Sequence, residues 1–69
     1  MRISARNQLA GTVVKVEQGS VMSTVTVRLT GGEEVVSAIT KESALSLGLA
    51  EGDAVVAIIK ATEVIIGKE

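Results

Sequence analysis

The sequence predicts a small all-β domain, a five-stranded barrel with one short helix between its third and fourth strands. Three observations predict it. Short runs rich in β-branched residues alternate with glycine-containing turns, one eleven-residue stretch carries helix signals at both ends, and two further apolar runs follow that stretch. Three strands, a helix and two strands are the order of an OB-fold, a Greek-key barrel whose helix covers one end.

The first three strands are predicted from alternation and turn residues. Leu9–Gln18 forms the first strand, with a bulge expected near Gly11. Val21–Thr30 alternates apolar with polar side chains, so one face of this second strand is buried. A Gly-Gly pair then makes a hairpin turn, because glycine adopts a positive φ at little cost, and Glu33–Ile39 returns as the third strand.

The helix and the last two strands complete the predicted barrel. Thr40 can accept a hydrogen bond from a free N–H of the first turn, and Gly48 can end the helix in the left-handed conformation. Ala54–Lys60 is apolar on both faces, which in so small a domain predicts barrel interior on one face and another subunit on the other. Val64–Ile66 is expected to be a short fifth strand.

Composition points to self-association of a single domain, residues 1–69. The chain is 46% apolar but lacks Cys, His, Phe, Tyr and Trp, so disulfides, thiolate or imidazole metal sites and large aromatic cores are excluded. A domain of this size has a small core, and oligomerisation is the remaining way to hide its aliphatic surface. The longest apolar run has six residues and the first residues resemble no secretory signal, so a cytoplasmic location is expected.

Several function classes are excluded by the residues that are missing. Without His or Cys, nucleophilic catalysis of the Ser–His or Cys–His kind has no base, so an enzyme is not expected. The net charge of −1 and the absence of aromatic side chains argue against nucleic acid and anionic membranes as partners. The glycines do not have the spacing of a phosphate-binding loop.

The residues that remain as candidates for a functional site are hydrogen-bond donors. Ser4 and Arg6 lie two residues apart and share one face of an extended segment, and Lys60 ends the fourth strand. Thr40 and Ser43 add hydroxyl groups at the start of the helix. Each residue alone is explained by solvation or by helix capping. Together they would form a pocket suited to a fully ionised tetrahedral dianion, because such an anion has no proton that needs an acceptor.

Four segments also carry a resemblance to a known family. They are residues 4–11, with Ser-Ala-Arg-Asn-Gln at the start, and residues 38–43, 47–52 and 59–64. These segments resemble the molbindin (Mop) family, small cytoplasmic proteins of one Mop/TOBE domain that bind molybdate and tungstate. The resemblance implies an OB-fold, a homohexamer arranged as a trimer of dimers, and sites at subunit interfaces that hold molybdate or tungstate as the oxyanion, with no organic cofactor and no side chain bound directly to the metal.

The resemblance also assigns residues to the sites. It places Ser4, Arg6, Lys60 and the backbone N–H of Ala61 on one subunit and Thr40 and Ser43 on a neighbour. It implies a second site near a threefold axis, for which Asn7, Ser20 and Val21 are candidates.

Two functions follow as hypotheses. The same domain occurs fused to DNA-binding regions and to transporter ATPases, and the lack of either fusion here favours storage of the anion. The alternative is a structural or regulatory protein-interaction domain without a physiological oxyanion.

Overall fold

The computed structural model describes residues 1–69 and contains four strands, one short α-helix and one 3₁₀ turn. In chain order these are β1 (Asn7–Gln18), β2 (Met22–Leu29), β3 (Glu34–Thr40), α1 (Lys41–Leu47), β4 (Ala54–Ile59) and the 3₁₀ turn Ala61–Glu63. The strands form one antiparallel sheet in the order β3-β2-β1-β4. No helix in it is both long and apolar enough to cross a membrane.

The core lies on the inner face of this curled sheet. Val13 of β1 packs there with Val25 and Val27 of β2, and all three are buried. The alternation predicted for the second strand is therefore confirmed. Ser23 lies on the same face, is 1% exposed, and has a hydroxyl group without a hydrogen-bond partner. The core thus contains three valines and the hydroxyl group of Ser23, which is removed from water and has no hydrogen-bond partner in the protein.

β1 is the central strand and changes neighbours along its length. Residues 7–12 pair with β4, and residues from Gly11 onward pair with β2. The register with β2 shifts at Val14, so the bulge predicted near Gly11 lies three residues further on. Position 11 requires glycine because of a close backbone approach and not because of a bulge. A Cβ at this position would lie 2.6 Å from Cγ1 of Val27 and 2.7 Å from the carbonyl oxygen of Arg28, because β1 and β2 approach closely here.

Both predicted helix signals are confirmed. The hydroxyl oxygen of Thr40 accepts the N–H of Ser43 at 3.0 Å, as an N-cap should. Gly48 has φ 63°, and its N–H and that of Leu49 donate to the carbonyls of Leu45 and Ala44, which closes the last turn. Ala44 is the one buried residue of the helix, so α1 rests on the sheet through a small side chain.

The predicted fifth strand is wrong for the single chain. Val64–Ile66 makes no strand pairing; Ile65 is 92% exposed and Ile66 is 85% exposed. The 3₁₀ turn after β4 directs this segment away from the sheet, and the N–H of Val64 bonds only within that turn, to Ala61 O at 3.4 Å. The outer edges of β3 and β4 therefore stay unpaired, and the sheet is a half-barrel of four strands.

An apolar groove of about 380 Å³ opens between β3 and β4. Thirteen of the fourteen residues that line it are hydrophobic, among them Val35, Val36 and Ile39 of β3, Val55 to Ile59 of β4, and Leu47 and Leu49. Only five of the 69 residues are buried. The chain exposes 5386 Å², whereas a compact monomer of 7.1 kDa exposes about 4,100 Å². The single chain therefore exposes roughly 1,300 Å² more surface than a compact monomer of the same mass.

Candidate anion site

The register of β1 with β4 brings the predicted basic residues together. Their ladder ends at the pair Asn7 and Ile59, so Arg6 lies opposite Lys60 just beyond it. Residues 4–6 and 60–62 together line one depression of about 220 Å³. Ser4, Arg6, Lys60 and Ala61, predicted from segments that are more than fifty residues apart, thus meet in one chain.

The two cations in this depression have no anionic partner within the chain. The ion pairs join Lys15 to Glu17 and Arg28 to Glu34, and neither includes Arg6 or Lys60. The hydrogen bond from Lys15 to Glu17, with the attraction between their charges, raises the pKa of Lys15. No carboxylate lines the depression. Two positive charges therefore face the same opening, which favours an anion between them.

The hydroxyl groups at the start of α1 form a small network of their own. The Thr40 hydroxyl oxygen accepts the N–H of Ser43 and donates its proton to Oγ of Ser43 at 2.8 Å. The proton of Thr40 is therefore used within the turn, and the proton of Ser43 is left for another acceptor. Glu42 lies beside them and lines the same depression, so this half of the predicted site is not free of negative charge.

The basic residues and the helix hydroxyls lie far apart in one chain. Arg6 precedes the first residue of β1, whereas Thr40 pairs with Met22, close to where β1 ends at Gln18. The 12 residues of β1 would span about 36 Å if the strand were straight. The two groups line separate depressions of one chain, so a single tetrahedral anion does not contact both within it.

The residues predicted for a second site are also divided. Ser20 and Val21 line a shallow depression together with Thr40, Lys41 and Glu42. Asn7 lies at the other end of β1, where its side-chain amide donates to the carbonyl oxygen of Ile59 at 3.2 Å. The single chain therefore groups Ser20 with Val21 but leaves Asn7 apart from them.

Among the residues that line the two depressions, sequence reasoning missed Thr62 and Glu42. Thr62 borders the basic depression, and Glu42 borders the hydroxyl groups of α1. Thr62 lies in the 3₁₀ turn just beyond the ladder of β1 with β4, a position that a single sequence does not show. Glu42 could have been found, because an acidic residue in the first turn of a helix lies near the N-cap.

Known proteins resemble this chain over nearly its whole length. The model of the TOBE domain matches residues 3–66. Molybdenum-pterin-binding protein 3 of Clostridium pasteurianum is 47% identical over 66 residues, which cover 96% of this chain and 97% of the relative. The solved structure of MopII from Clostridium pasteurianum superposes with a TM-score of 0.92 at 40% identity and covers 97% of this chain and 100% of MopII. A molybdate-binding protein from Sporomusa ovata gives the same TM-score at 43% identity, over 99% of this chain and 100% of that protein.

The match over residues 3–66 defines the class of the chain, a TOBE domain. Its likeness to the Clostridium proteins in both sequence and structure shows that the chain belongs to the Mop family of molybdenum-pterin-binding proteins.

Proposed function

We propose that this protein binds molybdate or tungstate as the intact oxyanion, in sites shared between the subunits of a homo-oligomer, and that it stores the anion in the cytoplasm and is not an enzyme. The observation that carries the proposal is the depression in which Arg6 faces Lys60 with no carboxylate beside them. The Sporomusa ovata relative, which superposes over 99% of this chain, is a molybdate-binding protein, and this supports molybdate as the anion.

The donors in the basic depression match a tetrahedral dianion. Arg6 offers a forked pair of N–H groups, and Lys60 offers a compact charge with three protons. Ala61 begins a 3₁₀ turn, so its N–H has no acceptor within that turn and is free to donate to the anion. Ser4 can add a hydroxyl proton. Every one of these groups donates, so oxygen atoms without protons are the preferred ligands.

This donor set predicts selectivity that a titration can measure. Molybdate and tungstate carry no proton at neutral pH, whereas phosphate carries at least one, and the basic depression has no carboxylate to accept it. Sulfate is fully ionised but smaller, so it cannot reach all of the donors at once. Calorimetric titration should show saturable binding of molybdate and tungstate that equal concentrations of sulfate or phosphate do not displace. Displacement by either anion would refute an oxyanion store for molybdenum or tungsten.

A second chain is proposed to supply the other half of the site. Thr40 and Ser43 lie too far from Arg6 to share an anion within one chain. The excess surface of roughly 1,300 Å² per chain exceeds the ~800 Å² that each partner buries in a standard interface. Self-association that joins the basic depression of one subunit to the helix start of another would complete the donor set. A homohexamer arranged as a trimer of dimers is the assembly that we propose.

The carboxylate of Glu42 gives a prediction about affinity. Glu42 borders the hydroxyl groups of α1, so in a completed site it repels the anion. Glu42→Gln is therefore expected to strengthen molybdate binding several-fold at low ionic strength, with a smaller gain as salt screens the repulsion. Calorimetry at two salt concentrations measures this. Glu51→Gln, in the turn after the helix, is the matched control and should leave the affinity unchanged; weaker binding by the Glu42 variant would contradict the placement.

The exposed aliphatic surface supports one other candidate function. Leu45 and Leu47 of α1 are exposed, and the apolar groove is open. These surfaces would also suit a structural or regulatory domain that docks on a different protein. The molybdate titration separates the two functions, because such a domain would bind no oxyanion with a defined stoichiometry.

A further inference from the structure

We propose that α1 is a lid that opens away from the sheet while the strands stay paired, and that the buried hydroxyl group of Ser23 beneath it sets how often it opens. The opening rests on the packing of α1 against the sheet. Its consequence, that the bound anion leaves when α1 opens, rests on the function proposed above.

α1 covers Ser23. The inner face of β2 carries Ser23, Val25 and Val27, and Ser23 lies nearest to the beginning of the strand. Beside that point the N–H of Lys41, the first residue of α1, donates to the carbonyl oxygen of Val21 at 2.8 Å. The helix also contacts both β2 and β3. α1 is therefore the element that removes the side chain of Ser23 from water.

Little apolar surface holds α1 on the sheet. Ala44 is the one buried residue of the helix, whereas Leu45 and Leu47 are exposed. Ala44 also lies outside the buried cluster that Val13 forms with the valines of β2. A helix of seven residues has little stability of its own in water. Docking of α1 thus gains mainly the burial of one methyl group, whereas the sheet buries whole valine side chains.

The hydroxyl group of Ser23 opposes this docking. Its oxygen has no hydrogen-bond partner in the protein, and the residue is 1% exposed. A hydroxyl group that leaves water without gaining a partner destabilises the closed state. When α1 lifts, water reaches this group and the penalty disappears. Opening of α1 is therefore easier than separation of the paired strands.

The lid carries one half of the proposed anion site. Ser43, in the first turn of α1, has a hydroxyl proton to give, and Gly48 ends the helix with φ 63°. The segment is held at both ends, because the N–H of Lys41 is bonded to the chain before β2 and Leu49 packs against the valine core. Lifting of the residues between these ends withdraws Ser43 from the anion. The opening rate of α1 therefore limits release.

Hydrogen exchange of the assembled protein tests the opening. In the parent protein the amides of residues 45–48 should exchange about tenfold faster, or more, than those of β2, because they exchange through the local opening. Ser23→Ala removes the unpaired hydroxyl group and should slow the amides of α1 by about fivefold or more. Ser37→Ala is the matched control, since Ser37 is half-buried in the apolar groove, and it should change these rates less than about twofold.

Two results would overturn the proposal. One is equal exchange of the α1 and β2 amides in the parent protein, which would mean that the helix opens only when the sheet unfolds. The other is exchange in the Ser23 variant that is unchanged or faster, which would mean that the hydroxyl group has a partner in the closed state.

Release of labelled molybdate into an excess of unlabelled molybdate tests the consequence for the anion. Ser23→Ala should slow release by the same factor as it slows exchange of the α1 amides, and Ser37→Ala should leave release unchanged. An unchanged release rate in a Ser23 variant whose α1 amides are slowed would overturn the control of release by α1. Should the parent protein bind no molybdate, the proposed function fails, while the exchange rates still judge the opening of α1.

Discussion

Arg6→Ala and Lys60→Ala are each expected to weaken molybdate binding by about 2 kcal/mol or more, which is roughly 30-fold. In the proposed site, each change removes a charge-assisted hydrogen bond to an anion that a neighbouring subunit would partly bury. The remaining cation then holds a dianion alone. Because neither side chain has an ion-pair partner in the chain, the substitution breaks no other charged contact, and the loss reports on the anion. Calorimetric titration of the folded variants measures it.

Two other cations serve as controls for that prediction. Arg2 lies four residues before Arg6 but does not line the depression, and Lys15 is already paired with Glu17 on an exposed strand face. Arg2→Ala and Lys15→Ala should change the affinity less than twofold, through the loss of one distant, screened charge. Equal losses at positions 2, 6, 15 and 60 would mean that net charge, and not a defined pocket, attracts the anion.

Gly11→Ala is expected to lower the free energy of unfolding by about 3 kcal/mol, the largest effect on stability that we predict for one added methyl group. The new Cβ would meet Cγ1 of Val27 and the carbonyl oxygen of Arg28 at distances that real Cβ atoms do not show. Val27 is buried, and Arg28 is held in the ladder with Thr12, so neither can move away cheaply.

Urea denaturation at a fixed protein concentration measures this effect. Gly67→Ala is the control, because a Cβ there meets nothing within 4 Å, and it should change stability by less than about 0.5 kcal/mol. If the Gly11 and Gly67 variants unfold at the same urea concentration, the close approach of β1 and β2 is not as described.

Local signals in the sequence were enough for most of the fold. Alternation placed Val25 and Val27 in the core, and the capping residues Thr40 and Gly48 set the ends of the helix. The bulge was misplaced because a glycine in a strand has two explanations, a bulge or a close backbone approach, and Gly11 has the second. The strand at Val64–Ile66 was predicted from its residues, but a strand also needs an edge to pair with, and in the single chain this segment pairs with none.

The candidate site depends on contacts that are distant in sequence. Arg6 lies opposite Lys60 because of the register between β1 and β4. Periodicity and composition do not reveal that register, so from them the meeting of the two side chains was only a hypothesis. The division of these donors between the two ends of β1 was expected only from the family resemblance. Glu42 was not predicted because a pattern of hydrogen-bond donors does not include a carboxylate.

We propose that each anion site is shared between two chains, and refolding a mixture of two defective variants tests this. Arg6→Glu damages the basic half. Ser43→Asp damages the helix half, while a carboxylate in the first turn still suits the helix dipole and leaves the Thr40 cap in place. Each variant alone should bind almost no molybdate at these sites. The two are then unfolded and refolded together, and native mass spectrometry verifies that mixed oligomers have formed.

If the halves come from different chains, random mixing joins an intact Arg6 to an intact Ser43 in about one site in four, so calorimetry should recover about a quarter of the sites. If both halves belonged to one chain, every site would keep a lesion. Recovery near zero in confirmed mixed oligomers would therefore contradict the shared site.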